Sequence, residues 1–523
     1  MQVQDVIIIG GGITGLAAAY YLQEEALAAG RLLRYTLVDS EGRLGGKILT
    51  EHTGGFTIEG GPDCVISQKP WAADLARRLG LGDDLMGTNE ERRKTFVLTR
   101  GRLTPLPDGV MLIIPTRITP FVTSSLISWP GKIRMGMDLF IPRRKGNADE
   151  SVADFVRRRL GREALEKIAE PLMGGIHVSD PEMQSLLGTF PRFRDLEMKH
   201  RSLILGMLAQ KRRSARQTPR SGAAAPVHPA AQPSHAPAPT TPFITLRGGL
   251  GQLTAALEAA LTGNLLTDTR ATAVQRTALP GDDVSPSGFG MPGESNTCYA
   301  VHIDDGRTLH ARALVLATPA YVSSGLVSAL APDLAGMLSA IRYVSTATVS
   351  LGYRAADVRH PLNGFGLVIP SREGRQISAC SWSSTKFNYR APKDGVLLRC
   401  FVGGPGHEEL VDLNDQELKA LARRELQAIM GIDAQPLLER VFRWRKANPQ
   451  YDVGHLERMH ALRLQCAQEP GLFVAGGAFD GVGVPDCIRQ GKAAAQEALA
   501  FLSADHRLRM RPAMAASPVK AAE

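Results

Sequence analysis

Val6-Ile7-Ile8-Ile9 runs without a polar break into Gly10-Gly11-Gly12-Ile13-Thr14-Gly15, and then into Leu16-Ala17-Ala18-Ala19-Tyr20-Tyr21-Leu22. A short continuous apolar run reads as a strand buried on both faces, and the alanine-rich stretch reads as a buried helix. The glycines between them must therefore reverse the chain within a few residues. In a G-x-G-x-x-G at such a junction, the first glycine permits the tight turn and the second lets backbone approach a pyrophosphate. The third lets helix pack on strand. The helix start then offers free N–H groups and the positive end of a dipole to an anion. Residues 34–39 supply a second strand ending at Asp39, 24 residues after Gly15, where a carboxylate can accept from a ribose diol. The glycine pattern alone is a weak signal. Its strand-before, helix-after context makes a nucleotide-binding α/β fold the expected class, over a plain glycine turn with a surface aspartate.

A chain of 523 residues suggests two or three domains. With 44% apolar and 22% charged residues, it has the composition of a soluble globular protein. The longest apolar candidate, Val110 to Ser128, is broken by Pro115, Arg117 and Pro120, short of the ~18–20 residues of a spanning helix. Gln2-Val3-Gln4-Asp5 leads straight into the first strand without a basic leader, so no secretory signal is expected. Cys64, Cys298, Cys380, Cys400, Cys466 and Cys487 are scattered, which points to reduced thiols and a cytoplasmic location. No tight Cys/His cluster or H-E-x-x-H occurs, so no metal site is expected. The net charge of +9 invites a nucleic-acid reading, but much of it lies in Lys211, Arg212, Arg213, Arg216 and Arg220 of the acid-free stretch 209–242. More lies in Arg507, Arg509, Arg511 and Lys520. The rest is close to neutral, which argues against a basic nucleic-acid groove.

Residues 71–208 carry helical patterns, among them Ala73–Leu81 and Ser151–Met173, with Ser151 and Asp154 set as a helix-start cap. Stretch 209–242, dense in Ala, Pro, Ser and Gln, reads as a disordered insertion, and 504–523 as a disordered tail. Strands are expected at 298–304, 312–318, 346–353, 376–382 and 396–403, followed by a helix near 414–430. A last strand, 471–475, ends in Gly476-Gly477 and leads to a helix near 487–502.

A nicotinamide-dependent dehydrogenase would not need that second glycine turn, some 460 residues after the first. Arg43-Leu44-Gly45-Gly46-Lys47 is similar to the R-x-G-G step of the amine oxidase-like flavoprotein superfamily. Gly476-Gly477 with Gly481-Val482-Gly483-Val484-Pro485 resembles that superfamily's closing FAD segment, and Leu314–Pro319 its internal A-T-P strand. Within it, Glu170–His177, Lys199–Met207, Phe387–Pro392, Trp444–Tyr451 and Gly481–Ile488 resemble the porphyrinogen oxidases, most closely their soluble bacterial branch. Several members of that branch act on coproporphyrinogen III. The resemblance spans the chain apart from 209–242 and the tail.

The resemblance implies an α/β fold, in which a Rossmann-like FAD-binding domain is assembled from discontinuous segments beside a mixed α+β substrate domain and a helical subdomain. The segments expected are 1–70, 243–319 and 440–503 for FAD; 71–95, 187–208 and 320–439 for substrate; and 96–186 for the helical subdomain. Non-covalent FAD is implied at Gly10, Gly11, Gly12, Ile13, Thr14, Gly15, Asp39, Ser40, Lys47, Gly61, Pro62, Asp63, Cys64, Ala271, Trp444, Val482, Gly483 and Val484. Ala271 replaces the family's valine at a contact made through backbone. Gly60 and His177 replace the usual Arg and Tyr. Lys69 is a candidate partner for a substrate propionate, or a solvated lysine. Ile176 lines the substrate cavity or the core, and His177 relays a proton or is structural. Cys64 reads as a small residue against the cofactor, without a covalent link. Phe121, Trp129 and Phe140 form either an apolar surface or interior packing.

The implied reaction is six-electron oxidation of a porphyrinogen in haem biosynthesis, with oxygen or another acceptor recycling the flavin. Coproporphyrinogen III is the favoured substrate and protoporphyrinogen IX the alternative. Such chemistry belongs to the cofactor, so no catalytic base is named. An amine oxidase, a carotenoid desaturase or a non-catalytic flavin-binding partner remains open, since fold does not fix function. The cations of 209–242 suit peripheral contact with anionic lipid. Oligomeric state is left open.

Overall fold

A computed structural model describes residues 3–108, 110–111, 114–115, 118–209, 241–279 and 297–509, without the side chains of 109–118, 176–177 and 505–509. The expected insertion at 209–242 and tail at 504–523 fall almost wholly outside these residues. The chain forms two compact units, each discontinuous in sequence. The first is drawn from Met1–Gly46, Thr254–Ala340 and His460–Glu523, the second from Lys47–Leu253 and Ile341–Met459.

In the first unit, strand Gln4–Ile9 lies between the parallel strands Tyr35–Val38 and Thr308–Leu316. Asn264–Leu266 extends the sheet beyond Tyr35–Val38, and Leu472–Val474 joins the far half of Thr308–Leu316, both in parallel. The other half of Thr308–Leu316 pairs antiparallel with Thr297–Ile303, which pairs in turn with Ala271–Ala278. The parallel strands are the continuous apolar runs of the sequence: Val6, Ile7, Ile8, Leu37, Val38, Leu314 and Leu316 are all buried, as strands covered on both faces require. Helix Ile13–Ala28 is buried along Leu16–Leu22. It packs on helix Val484–Arg509 where Gly491 removes the obstacle: a methyl group there would lie 2.4 Å from the Thr14 carbonyl oxygen. The turn residue Gly10 has φ +107°, a conformation that favours glycine.

The second unit is built on a seven-stranded mixed sheet. Its strands run Leu438–Pro449, Tyr343–Arg354, Gly395–Gly403, Ile377–Trp382, Gly366–Val368, Thr95–Thr99 and Arg102–Pro105. Helix Asp415–Met430 starts at a reciprocal cap between Asn414 and Glu417, and its Leu418, Leu421, Ala422 and Leu426 enter the sheet's core. Strands 95–105 lie within the stretch read as helical; their short alternation is hidden between longer helical patterns. The expected Ser151–Met173 helix is also interrupted. Ser151 caps Val152–Arg159 by accepting from the Asp154 N–H, but Gly161 at φ +94° ends that helix before the chain resumes.

The helices after 118 are joined by buried charge. Arg159, with no exposed surface, pairs with Asp138 and donates to the carbonyls of Ile141 and Arg201, while Ser202 Oγ donates to Asp138 Oδ2 at 2.6 Å. Removing one partner of such a pair leaves a buried charge and typically costs about 3–5 kcal/mol.

Candidate functional site

The glycine turn of the first unit closes on itself. A methyl group on Gly15 would sit 1.8 Å from the Gly10 carbonyl oxygen, and one on Gly10 would sit 2.8 Å from the backbone of Ala317. Gly11 is equally confined, by the Leu44 and Asp39 side chains. At Gly12, by contrast, a methyl group would meet nothing within 4 Å. Gly12 is the N-cap of helix Ile13–Ala28, with no side-chain cap and no acid in the first turn. Open space before uncapped N–H groups at the positive end of a helix fits the diphosphate of a dinucleotide.

Asp39 is tied to this turn. One carboxylate oxygen accepts from Gly11 N–H and the other from Glu41 N–H at 2.8 Å. Each oxygen keeps a lone pair, so the group can still receive ribose hydroxyls. Ser40 beside it is exposed, and Ala271 begins the outermost antiparallel strand next to a register shift against Ile303. The Leu44-Gly45-Gly46 step lies against the glycines, with Gly45 N–H donating to Gly11 O at 2.8 Å. Arg43 bends back onto the carbonyls of Leu44 and Gly46.

The closing glycine segment leads into helix Val484–Arg509, with Val482 exposed and Gly483 and Val484 half-buried. Gln490, not singled out from sequence, donates to the carbonyls of Asp480 and Gly481 and receives Gly476 N–H. One helix turn thus holds both ends of the glycine loop. Arg489 donates to the Asp480 carbonyl and carboxylate.

In the second unit, the turn Gly60-Gly61-Pro62-Asp63-Cys64 follows strand Phe56–Glu59. The Gly60 carbonyl accepts from three donors: Trp444 Nε1 at 2.8 Å, an Arg399 guanidinium nitrogen at 3.0 Å and Thr348 Oγ1 at 3.3 Å. Arg399 also donates to Gly61 O at 2.6 Å. A methyl group at position 60 would press on the Phe442 ring at 2.9 Å and on the Leu49 side chain at 3.1 Å. Gly61 backs onto the Lys47 carbonyl at a distance no side chain tolerates, and Lys47 Nζ donates to Ala447 O. Lys47, Gly61 and Trp444, read separately from sequence, are therefore neighbours.

Asp63 and Cys64 meet a residue that sequence reasoning missed. Lys386 Nζ lies 2.9 Å from Asp63 Oδ2 and 3.3 Å from Cys64 Sγ. Burial opposes the charge on Asp63, but Lys386 and Arg399 overcome it and hold the carboxyl well below the usual range. Burial, with the Asp63 charge, pushes the Cys64 thiol up to about 12, which makes it a poor nucleophile. Glu59 accepts from Thr50 Oγ1 at 2.6 Å and Leu250 N–H at 2.8 Å, with Arg390 at 3.8 Å, yet burial raises it to about 7. Lys386, Arg390 and Arg399 have no local sequence signature; Arg390 lies within a segment that carries the resemblance, but nothing in it points to Glu59.

Lys69 lies half-buried in the turn before helix Trp71–Arg78. Ile176 and His177 are in helix Glu170–His177, and their side chains lie outside the described residues. Phe121 is buried, whereas Trp129 and Phe140 are 64% and 74% exposed, so the three aromatics do not act as one set. Among the described residues no group of His, Cys, Asp or Glu is placed to hold a metal ion, and no helix is long and apolar enough to cross a membrane.

The family model of flavin containing amine oxidoreductases matches residues 13–499. The chain therefore belongs to that family of FAD enzymes. Within it, the chain is 37% identical to a coproporphyrinogen III oxidase of Bacillus subtilis (strain 168), over 95% of this chain and 98% of that one. It is 26% identical to protoporphyrinogen oxidase 2, chloroplastic/mitochondrial, of Arabidopsis thaliana, over 95% and 94%. A crystal structure of an Exiguobacterium sp. 255-15 protein superposes with a TM-score of 0.77 at 30% identity. It covers 97% of this chain and all of that one.

Two outcomes are expected. Gly15→Ala forces the helix away from Gly10; a displacement costing ~3 kcal/mol weakens cofactor retention roughly a hundredfold, read as loss of flavin absorbance per protein purified. The second concerns Glu59, whose folded value of about 7 lies above the ordinary 4.5. The folded state holds its proton more tightly, so this contribution is complete below pH ~4.5 and is lost as pH rises through about 7, on the order of 3 kcal/mol in all. Asp63 has the opposite sign but titrates below this window. Urea midpoints of the wild type should fall between pH 5 and 8, and Glu59→Gln should flatten that fall.

Proposed function

We propose that this chain oxidises coproporphyrinogen III to coproporphyrin III, removing six electrons in three two-electron rounds, with oxygen as terminal acceptor. The observation that carries this reading is the near end-to-end match to a coproporphyrinogen III oxidase at 37% identity. The diphosphate-fitting glycine turn and its ribose acid support it independently.

Bound FAD would supply the hydride acceptor in each of the three rounds, which draw on three of the four methylene bridges of the porphyrinogen. One proton also leaves per round, in sum two from pyrrole N–H groups and one from the fourth bridge, which restores conjugation without a nucleophile or paired carboxylates. The chain's role is to bind, orient and exclude water. Of the first unit, Gly10 to Gly15, Asp39, Ser40 and Ala271 are assigned to the ADP half, and Val482, Gly483 and Val484 to the flavin half. Of the second unit, Lys47, Gly61 to Cys64 and Trp444 are assigned to the flavin half. Trp444 acts there through the Gly60 carbonyl as much as through its ring. Lys69, Ile176 and His177 are assigned to the substrate side. The corresponding functional division runs into cofactor segments 1–70, 243–319 and 440–503, substrate segments 71–95, 187–208 and 320–439, and a helical subdomain 96–186.

A second reading concerns where the enzyme works. Trp129, Ile133, Met137 and Phe140 are all exposed, the first two one turn apart on helix Trp129–Gly136 and the others in the 3-10 turn that follows it and at its end. Lys132 lies 4.6 Å from the Trp129 ring centre, and a groove beside Pro142 carries Arg143, Lys199 and Arg201 with Met198 and Leu205. Apolar anchors among cations suit an anionic lipid surface.

Initial rates on coproporphyrinogen III and protoporphyrinogen IX, followed by product fluorescence, should favour the former; amine consumption without porphyrin formation would refute both. Sedimentation with phosphatidylserine vesicles should fall for Trp129→Ser/Phe140→Ser, and equal sedimentation of the two proteins would remove the lipid reading.

A further inference from the structure

Three cations and two carboxylates share one buried region of the second unit, and the charges do not balance. Lys386, with 13% of its side chain exposed, is matched by Asp63. Arg399 donates from one terminal nitrogen to both the Gly60 and Gly61 carbonyls, and its Nε has no partner among the described residues. Arg390 donates to the Arg247 and Leu246 carbonyls and to Thr245 Oγ1, and its Nε is likewise without a partner. The acid that faces Arg390 is Glu59, which is near its midpoint at neutral pH. The cavity beside these groups is otherwise walled by Thr57, Ser350, Ser383, Phe387 and Leu397, which bring no further negative charge. A buried cation without a counter-charge costs several kcal/mol. A fold that keeps such a surplus gains from it only when something negative comes near.

Arg399 and Lys386 both act on the segment Gly60–Cys64, at its start and its end. We propose that this surplus positive charge sets the reduction potential of the cofactor, stabilising the reduced anionic flavin relative to the oxidised neutral ring. The proposal rests on FAD binding and on Gly61 to Cys64 facing the flavin. Accepting a hydride adds two electrons and one proton to a neutral ring, leaving one negative charge for the cluster to offset. Lys386 and Arg399 are then positioning residues, acting through the turn, and Asp63 moderates them.

The test is an anaerobic titration of the purified yellow protein against a reference dye, for wild type, Lys386→Met, Lys386→Arg and Asp63→Asn. Lys386→Met should shift the two-electron equilibrium toward oxidised flavin by about tenfold, equal to about 30 mV. Asp63→Asn should shift it the other way, and Lys386→Arg should stay near wild type. Shifts of the same sign in Lys386→Met and Asp63→Asn, or both smaller than about threefold, overturn the proposal. So does an unmoved potential with a raised KM for the porphyrinogen, which would assign the charge to substrate carboxylates. If Lys386→Met does not retain flavin, Asp63→Asn decides alone, and a potential at or below wild type overturns the proposal. Wild-type protein purified without flavin absorbance would instead sink the FAD assignment.

Discussion

The first unit depends on one close approach: the Gly15 backbone lies so near the Gly10 carbonyl that no side chain fits between them. This contact decides where helix Ile13–Ala28 begins relative to strand Gln4–Ile9. It thereby decides where the helix points its uncapped N–H groups. Asp39 reaches the same turn from the neighbouring strand through Gly11 N–H, so the helix start and this carboxylate form one hydrogen-bonded unit. Gly491 repeats the device on the helix's other side, where backbone meets backbone at the Thr14 carbonyl. Absent side chains, more than any present one, build this region of the molecule.

The second unit uses the opposite strategy. Its turn at Gly60–Cys64 is held by long polar side chains from distant strands, with Trp444, Arg399 and Thr348 converging on a single carbonyl. Such a carbonyl is over-supplied with donors, and the segment has little freedom to move. Charge is buried in the same place, where the low dielectric makes each ion's partner matter. Glu59 and Asp63 illustrate this: they are four residues apart, yet one is pushed up by burial and the other is pulled down by two cations.

Much of this was legible from residues near one another in the chain. The glycine turn, Asp39, the second glycine segment and most strands after 297 are local patterns, and the structure places elements where the periodicity indicated. The break at Gly161 was less legible, because an isolated glycine within a helical pattern is often tolerated. The strands at 95–105 were missed because they are short and amphipathic, flanked by stronger helical signals. Lys386 and Arg399 carry no pattern at all, and the resembling segment around Arg390 does not point to Glu59; each looks like an ordinary strand or loop cation until the chain folds over Glu59 and Asp63. Trp444 was picked out by resemblance, but its hydrogen bond to Gly60, nearly 400 positions earlier, has no trace in either segment.

By itself, then, the sequence determined the glycine turn, and through its resembling segments the FAD-enzyme family and the porphyrinogen-oxidase character of the chain. The turn rests on backbone conformations that favour glycine and on hydrophobic periodicity, both of which act over a few residues, whereas the family and its chemistry rest on the resemblance of whole segments. Tertiary structure alone decided the protonation of Glu59 and Asp63, the inertness of Cys64, the crowding at Gly60 and the surplus of buried positive charge. Those properties depend on desolvation and on charges brought together from 323 or more positions apart, as Lys386 is from Asp63. The electrostatic energy of a group is set by what surrounds it in space, and sequence separation carries no information about that.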